Sequence, residues 1–91
     1  MYLSHPVRRV RDDPIEDVEV RLVVTPTDEA DVAALESALE SIGEAVDRLP
    51  YDALEVTVPE TAVAEVCELA DIDSIETAGT VGIGGDAGED L

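Results

Sequence analysis

A chain of 91 residues with an apolar fraction of 45% has room for one small domain, which at this size buries about 60 to 65% of the surface of its unfolded chain. Twenty-three acids stand against five arginines and no lysine, a net charge of -18; that field repels phosphate backbones, and five arginines cannot make a binding stripe, so the composition argues against a nucleic-acid partner. One cysteine excludes an internal disulfide and a CxxC metal or redox site, and no stretch approaches the roughly 20 apolar residues of a membrane span.

Residues 1–14 hold three of the five arginines (Arg8, Arg9, Arg11), two prolines and the only histidine, and end on Asp12-Asp13-Pro14. They read as a flexible N-terminal arm. From Ile15, Val18, Val20, Leu22 and Val24 alternate with Glu19, Arg21 and Val23, the pattern of a strand with one apolar face. A helix follows, with Thr27 or Asp28 as its N-cap and Gly43 just past its end. Val32, Leu35, Ala38, Leu39 and Ile42 make its buried stripe, and Glu36, Glu40 and Glu44 face solvent.

Ala45 to Leu49 and Ala53 to Val58 then predict two strands, the second with Leu54, Val56 and Val58 on one face and Glu55 and Thr57 on the other. Pro50 donates no amide hydrogen to a ladder and suits the connection between them or an edge. Pro59 and Glu60 fit the first turn of a second helix, whose stripe is Val63, Val66, Leu69 and Ala70. A last strand falls around Ile72 to Thr77, and residues 79–91 are a glycine-rich, acidic tail expected to be flexible. The order strand, helix, strand, strand, helix, strand predicts an α+β two-layer sandwich of ferredoxin-like type over residues 15–78. In it a four-stranded antiparallel sheet has both helices on one face and leaves the other open to a partner.

The chain is poor in residues that do chemistry, with one His, one Cys and no Asn, Gln or Lys. His5 lies in the arm, which supplies no orienting neighbours for a catalytic or metal-binding role. Cys67 falls on the inner side of the second helix and reads as a small buried hydrophobe; the alternative, a reactive nucleophile, has no base near it in sequence. The glycines of TAGTVGIGGDAG lack the strand-to-helix context and the positive field of a phosphate loop. Acylphosphatase chemistry, which occurs on folds of this type, relies on an asparagine and is excluded here. Neither enzyme activity nor a cofactor or metal is expected.

The segment GEAVDRLPYDALEVTVPETAVAEVCELADIDSIETAG resembles the propeptide family of subtilisin-like serine proteases, which includes stand-alone inhibitors of those proteases. The likeness rests on Gly43, Val46, the Ala53 to Val58 strand, Pro59-Glu60, the Val63 to Ala70 helix and, most specifically, Ile72-Asp73-Ser74-Ile75-Glu76, and covers residues 16–83. The resemblance implies a sheet whose open face docks on two surface helices of the protease, where an acidic pair at the end of the last strand caps the helix N-termini. Glu76 matches the first of that pair, whereas Ala78 stands at the second. It further implies that Gly79, Thr80, Val81, Gly82, Ile83 and Gly84 lie in the active-site cleft as a product-like strand, with Val81 or Ile83 in apolar pockets. The glycines there depart from the family pattern, because a flexible segment loses more entropy on binding.

With no protease domain in the sequence, the resemblance implies action in trans, as inhibitor or folding helper. The carboxylate surface further resembles proteins of salt-loving archaea, and the lack of a signal-length apolar run predicts a cytoplasmic protein. An alternative is an α+β interaction module that pairs with itself, as a homodimer, or with another protein through the open face. An ACT-like small-ligand dimer would require polar loop groups that the sequence does not supply.

Overall fold

The computed structural model describes residues 1–78. Its elements in chain order are β1 (Tyr2–Leu3), α1 (His5–Asp12), β2 (Glu19–Pro26), α2 (Val32–Ile42), β3 (Glu44–Arg48), a 3-10 turn (Pro50–Asp52), β4 (Leu54–Pro59), a second 3-10 turn (Glu60–Ala62), α3 (Val63–Cys67) and β5 (Ile72–Thr77). The period-two pattern decides which strand residues go inside. Leu22 and Val24 of β2 and Leu54, Val56 and Val58 of β4 are buried, while Glu19 and Arg21 stay exposed. Val20 stands opposite Val58, Leu22 opposite Val56 and Val24 opposite Leu54, so the aliphatic rows of the two central strands coincide on one face.

The sheet has five strands in the order β1-β5-β2-β4-β3. The α+β class holds, but the expected four-stranded antiparallel sheet is corrected to a mixed one. β5, β2, β4 and β3 are antiparallel neighbours, and β1 adds a short parallel pairing to β5 through Tyr2 opposite Ser74 and Leu3 opposite Ile75. The extra strand and a third helix both come from residues 1–14, which are not an arm. Pro6 is compatible with a first helical turn, where its missing amide hydrogen has no partner to lose. Val7 and Val10, one turn apart, supply an apolar stripe, and Val7 is completely buried.

A single aliphatic core lies between the sheet and the helices. Val7 of α1, Leu35 and Leu39 of α2, and Val63 and Val66 of α3 pack on Leu22, Val24, Leu54, Val56, Val58, Ile72 and Ile75. Each such side chain contributes about 1.5 to 3 kcal/mol on full burial. The two expected helices are both shorter than the pattern suggested. Helix α2 starts at Val32 because the cap is Asp31, whose Oδ1 accepts from the Ala34 amide at 3.1 Å; Thr27 instead closes a turn with Ala30. Pro59 ends β4 instead of opening a helix, and α3 stops at Cys67, so Ala70 is exposed and outside any helical stripe. At the other end of the expected first strand, Ile15 and Val18 lie before β2 and are 58% and 39% exposed.

Left-handed residues stand in three connections, Asp17 before β2, Tyr51 and Asp52 between β3 and β4, and Asp71 before β5, and at Ala45 within β3. The β3–β4 connection places Tyr51 at φ 65° and Asp52 at φ 64°, and Ala45, at φ 55°, accompanies the register shift between Glu44 and Asp47. The hairpin is closed by the Leu49 amide donating to the Ala53 carbonyl at 2.7 Å.

Candidate docking face

With α1, α2 and α3 sharing one core, no described element packs on the opposite face of the sheet. The alternation that buries Leu22 and Val24 turns Glu19, Arg21, Val23 and Thr25 outward. On β4 it turns out Glu55 and Thr57, and on β5 Ser74 and Glu76. The register assembles these into rows. Val23 stands between Glu55 of β4 and Glu76 of β5, and Asp47 of β3 continues the row beyond Glu55. At about 4.8 Å between strands, this row carries three carboxylates across roughly 14 Å, with one aliphatic side chain among them.

Arg21, opposite Thr57, is two residues along β2 from Val23 and so diagonal to both Glu55 and Glu76. Beyond Thr77 the pairing continues, since the Ala78 amide donates to the Arg21 carbonyl at 2.9 Å. Among the described residues the ion pairs are Arg11 with Asp12 at 3.0 Å and Arg48 with Glu36 at 3.2 Å. The carboxylate of Glu76 is thus exposed on a strand end and held by no cation among those residues. Such a group is an acceptor for the free amides and positive pole of a helix N-terminus on another molecule.

Of the residues singled out from sequence, the structure puts Glu76 and Ala78 together at the end of β5, opposite Val23 and Arg21 of β2. Gly79, Thr80, Val81, Gly82 and Ile83 lie outside the described residues. The outward residues Arg21, Val23, Thr25 and Glu55 were not singled out. The alternation already placed Arg21, Val23 and Glu55 on the face away from the aliphatic side chains, but strand register was needed to bring them beside Glu76.

Cys67 is half-buried against the core on α3. Burial pushes its thiol above the ordinary cysteine value, and the nearby Arg11 guanidinium only partly offsets this. The thiol is therefore less, not more, nucleophilic than a free one. His5 is exposed at the first position of α1. No described helix is long and apolar enough to cross a membrane.

The described residues form a small α+β unit whose sheet is covered by helices on one face and bare on the other. The family model described as "Putative peptidase inhibitor domain" matches residues 2–78, well over half of the chain, and the chain belongs to that family. The match begins at the first strand of the sheet, so the family's domain includes β1 and α1. Membership makes this a non-enzymatic protein whose partner is a peptidase. No curated protein and no solved structure matches the chain.

Proposed function

We propose that the protein binds a subtilisin-like serine protease in trans, as inhibitor, folding chaperone or both, by laying the bare sheet face on the protease and running the segment from Gly79 to Ile83 into its active-site cleft. The observation that carries this reading is the end of β5. There Glu76 projects its carboxylate from the bare face, and Ala78, hydrogen-bonded to β2, immediately precedes the segment proposed to enter the cleft. A carboxylate in that position is matched by helix N-termini on the partner. An extended segment beyond it binds through main-chain hydrogen bonds whatever its side chains, which accommodates its glycines. The family match to a peptidase inhibitor domain supports the same partner class.

The test is a titration in molar salt against a halophilic subtilisin-like protease with a chromogenic peptide substrate. Dose-dependent inhibition that truncation after Thr77 removes is the expected result. Absence of inhibition at micromolar concentration sinks the reading. A light-scattering mass of twice 9.6 kDa, with no inhibition, would point instead to a module that pairs with itself through the bare face.

A further inference from the structure

The two residues of β1 face opposite ways. Leu3 stands opposite the buried Ile75 and packs on the core, so the alternation turns Tyr2 and its partner Ser74 to the bare face. The buried core holds Val, Leu and Ile only, while Tyr2 stays 58% exposed on an edge strand. An aromatic side chain in that place contributes little to folding and is available to a partner.

The register extends the row one strand further. Ser74 stands opposite Thr25 of β2, so Tyr2, Ser74 and Thr25 lie side by side across three strands with no charge among them. Val23, two residues along β2 from Thr25, adds an aliphatic side chain to the same patch. Charge resumes at its borders. Asp73 lies in the register shift beside Pro26, Glu76 stands next to Val23 on β5, and Glu55 and Asp47 follow on β4 and β3 towards the opposite edge of the sheet. In a chain with 31% charged residues, four adjoining outward positions without charge, one of them a tyrosine, have the composition of an interface centre. Such centres are poor in charge and rich in Tyr, and a wet polar rim surrounds them.

Tyr2 is also close to the carboxylate already assigned to docking. From Tyr2, Glu76 is one strand over and two residues along, about 8 Å between Cα atoms at ordinary strand spacings. One patch of partner surface therefore meets both. The proximity matters because salt screens a carboxylate that solvent reaches, whereas a pair from which water and ions are excluded is screened much less. A ring buried beside Glu76 closes that side of the contact to solvent and strengthens the hydrogen bonds the carboxylate accepts.

We propose that the docking footprint is centred over β1, β5 and β2, with Tyr2 as its aromatic anchor, received by an apolar hollow of the peptidase beside the helix N-terminus that takes Glu76. Glu55 and Asp47 then belong to the solvated rim. The inference rests on the docking reading above and says which half of the bare face does the binding. The partner is a peptidase because the chain belongs to a family of peptidase inhibitor domains.

The test compares wild type, Tyr2→Phe, Tyr2→Thr, Thr25→Arg and Thr57→Arg in the same inhibition titration, with thermal unfolding alongside. Tyr2→Thr keeps a good strand residue and so holds its melting temperature, while inhibition weakens about tenfold or more. Tyr2→Phe keeps the ring and stays within a few-fold of wild type. Thr25→Arg puts a long charged side chain into the uncharged row and weakens inhibition as strongly, whereas the same change at Thr57, opposite Arg21 on β4, costs no more than a few-fold. Combining Tyr2→Thr with Glu76→Gln gives a loss smaller than the product of the two single losses, because neighbouring groups that shield one another are coupled. A wild type that inhibits, with Tyr2→Thr equally potent or with Thr25→Arg no worse than Thr57→Arg, overturns the anchor and leaves the docking reading standing. A wild type that does not inhibit overturns both.

Discussion

Gly43 lies where α2 meets β3, with its amide donating to the Leu39 carbonyl at 2.8 Å, and a side chain there has nowhere to go. A Cβ would run into the Thr57 carbonyl oxygen and come within 2.5 Å of Val58 Cγ1. Backbone on a central strand cannot give way, so Gly43→Ala is expected to destabilise by about 1 to 3 kcal/mol, read as a lowered midpoint in chemical denaturation. The sequence marked this glycine as the residue just past the helix end, a position that is commonly left-handed. Its φ of -134° is ordinary extended backbone, and the requirement comes from β4, a partner that no local pattern names. Cys67 yields a pH prediction of the same kind. Because burial raises the thiol's folded value above its unfolded one, the folded state holds the proton more tightly. Its stabilising contribution is complete below the unfolded thiol value and is lost as pH rises toward the folded one. Iodoacetamide labelling at pH 8 should accordingly run slower in the native protein than in the unfolded chain. Equal rates would show that the thiol is not held in that environment.

Among the elements, those built from a strong two-residue alternation were legible and the helices less so. β2 and β4 carry their aliphatic rows in the sequence, and the structure pairs those rows residue for residue. Helix α1 was missed because eight residues are too few to be helical on propensity alone, and because its proline and arginines look like those of a loop. What holds it is Val7 in the core and the parallel seat of β1 on β5, both tertiary. Val7→Ala should therefore cost about 1.5 to 3 kcal/mol, and Val7→Asp should unfold the helix from the sheet, seen as loss of amide exchange protection in both α1 and β5. Unchanged protection in β5 would mean that residues 1–14 fold as an appendage. The cap of α2 offers a milder check. Asp31→Ala removes the bond to the Ala34 amide and should cost about 1 kcal/mol, whereas Asp28→Ala should cost nothing measurable. The docking face was legible as a face from alternation alone. The row Glu55, Val23, Glu76 was not, because register depends on strands far apart in the chain.

For the molecule as a whole the dominant fact is charge: -18 on 9.6 kDa, with only the Arg11–Asp12 and Arg48–Glu36 pairs formed among the described residues. Two like charges 10 Å apart in water repel by about 0.4 kcal/mol, and an excess of this size makes many such pairs in a folded chain. An aliphatic core without Phe or Trp has little surplus to set against that sum, since small domains are stable by only about 5 to 15 kcal/mol even when neutral. Unfolding spreads the charges and relieves the repulsion, so the native state should be weak in dilute buffer and strengthen as salt screens it. The Debye length falls from about 30 Å at 0.01 M to 3 Å at 1 M, which is shorter than the spacing of carboxylates on adjacent strands. Melting temperature in potassium chloride is therefore expected to climb steeply up to about 1 M and then flatten. Salting-out of apolar surface instead continues to rise with concentration and is stronger in sulfate at equal ionic strength. Replacing three outward acids, Glu19, Glu55 and Asp47, by glutamine or asparagine should raise the low-salt melting temperature and reduce the salt slope while leaving the value in molar salt nearly unchanged. Circular dichroism showing equal native structure in millimolar and molar chloride, or a variant with an unaltered slope, would show that the core outweighs the surface charge without help from ions.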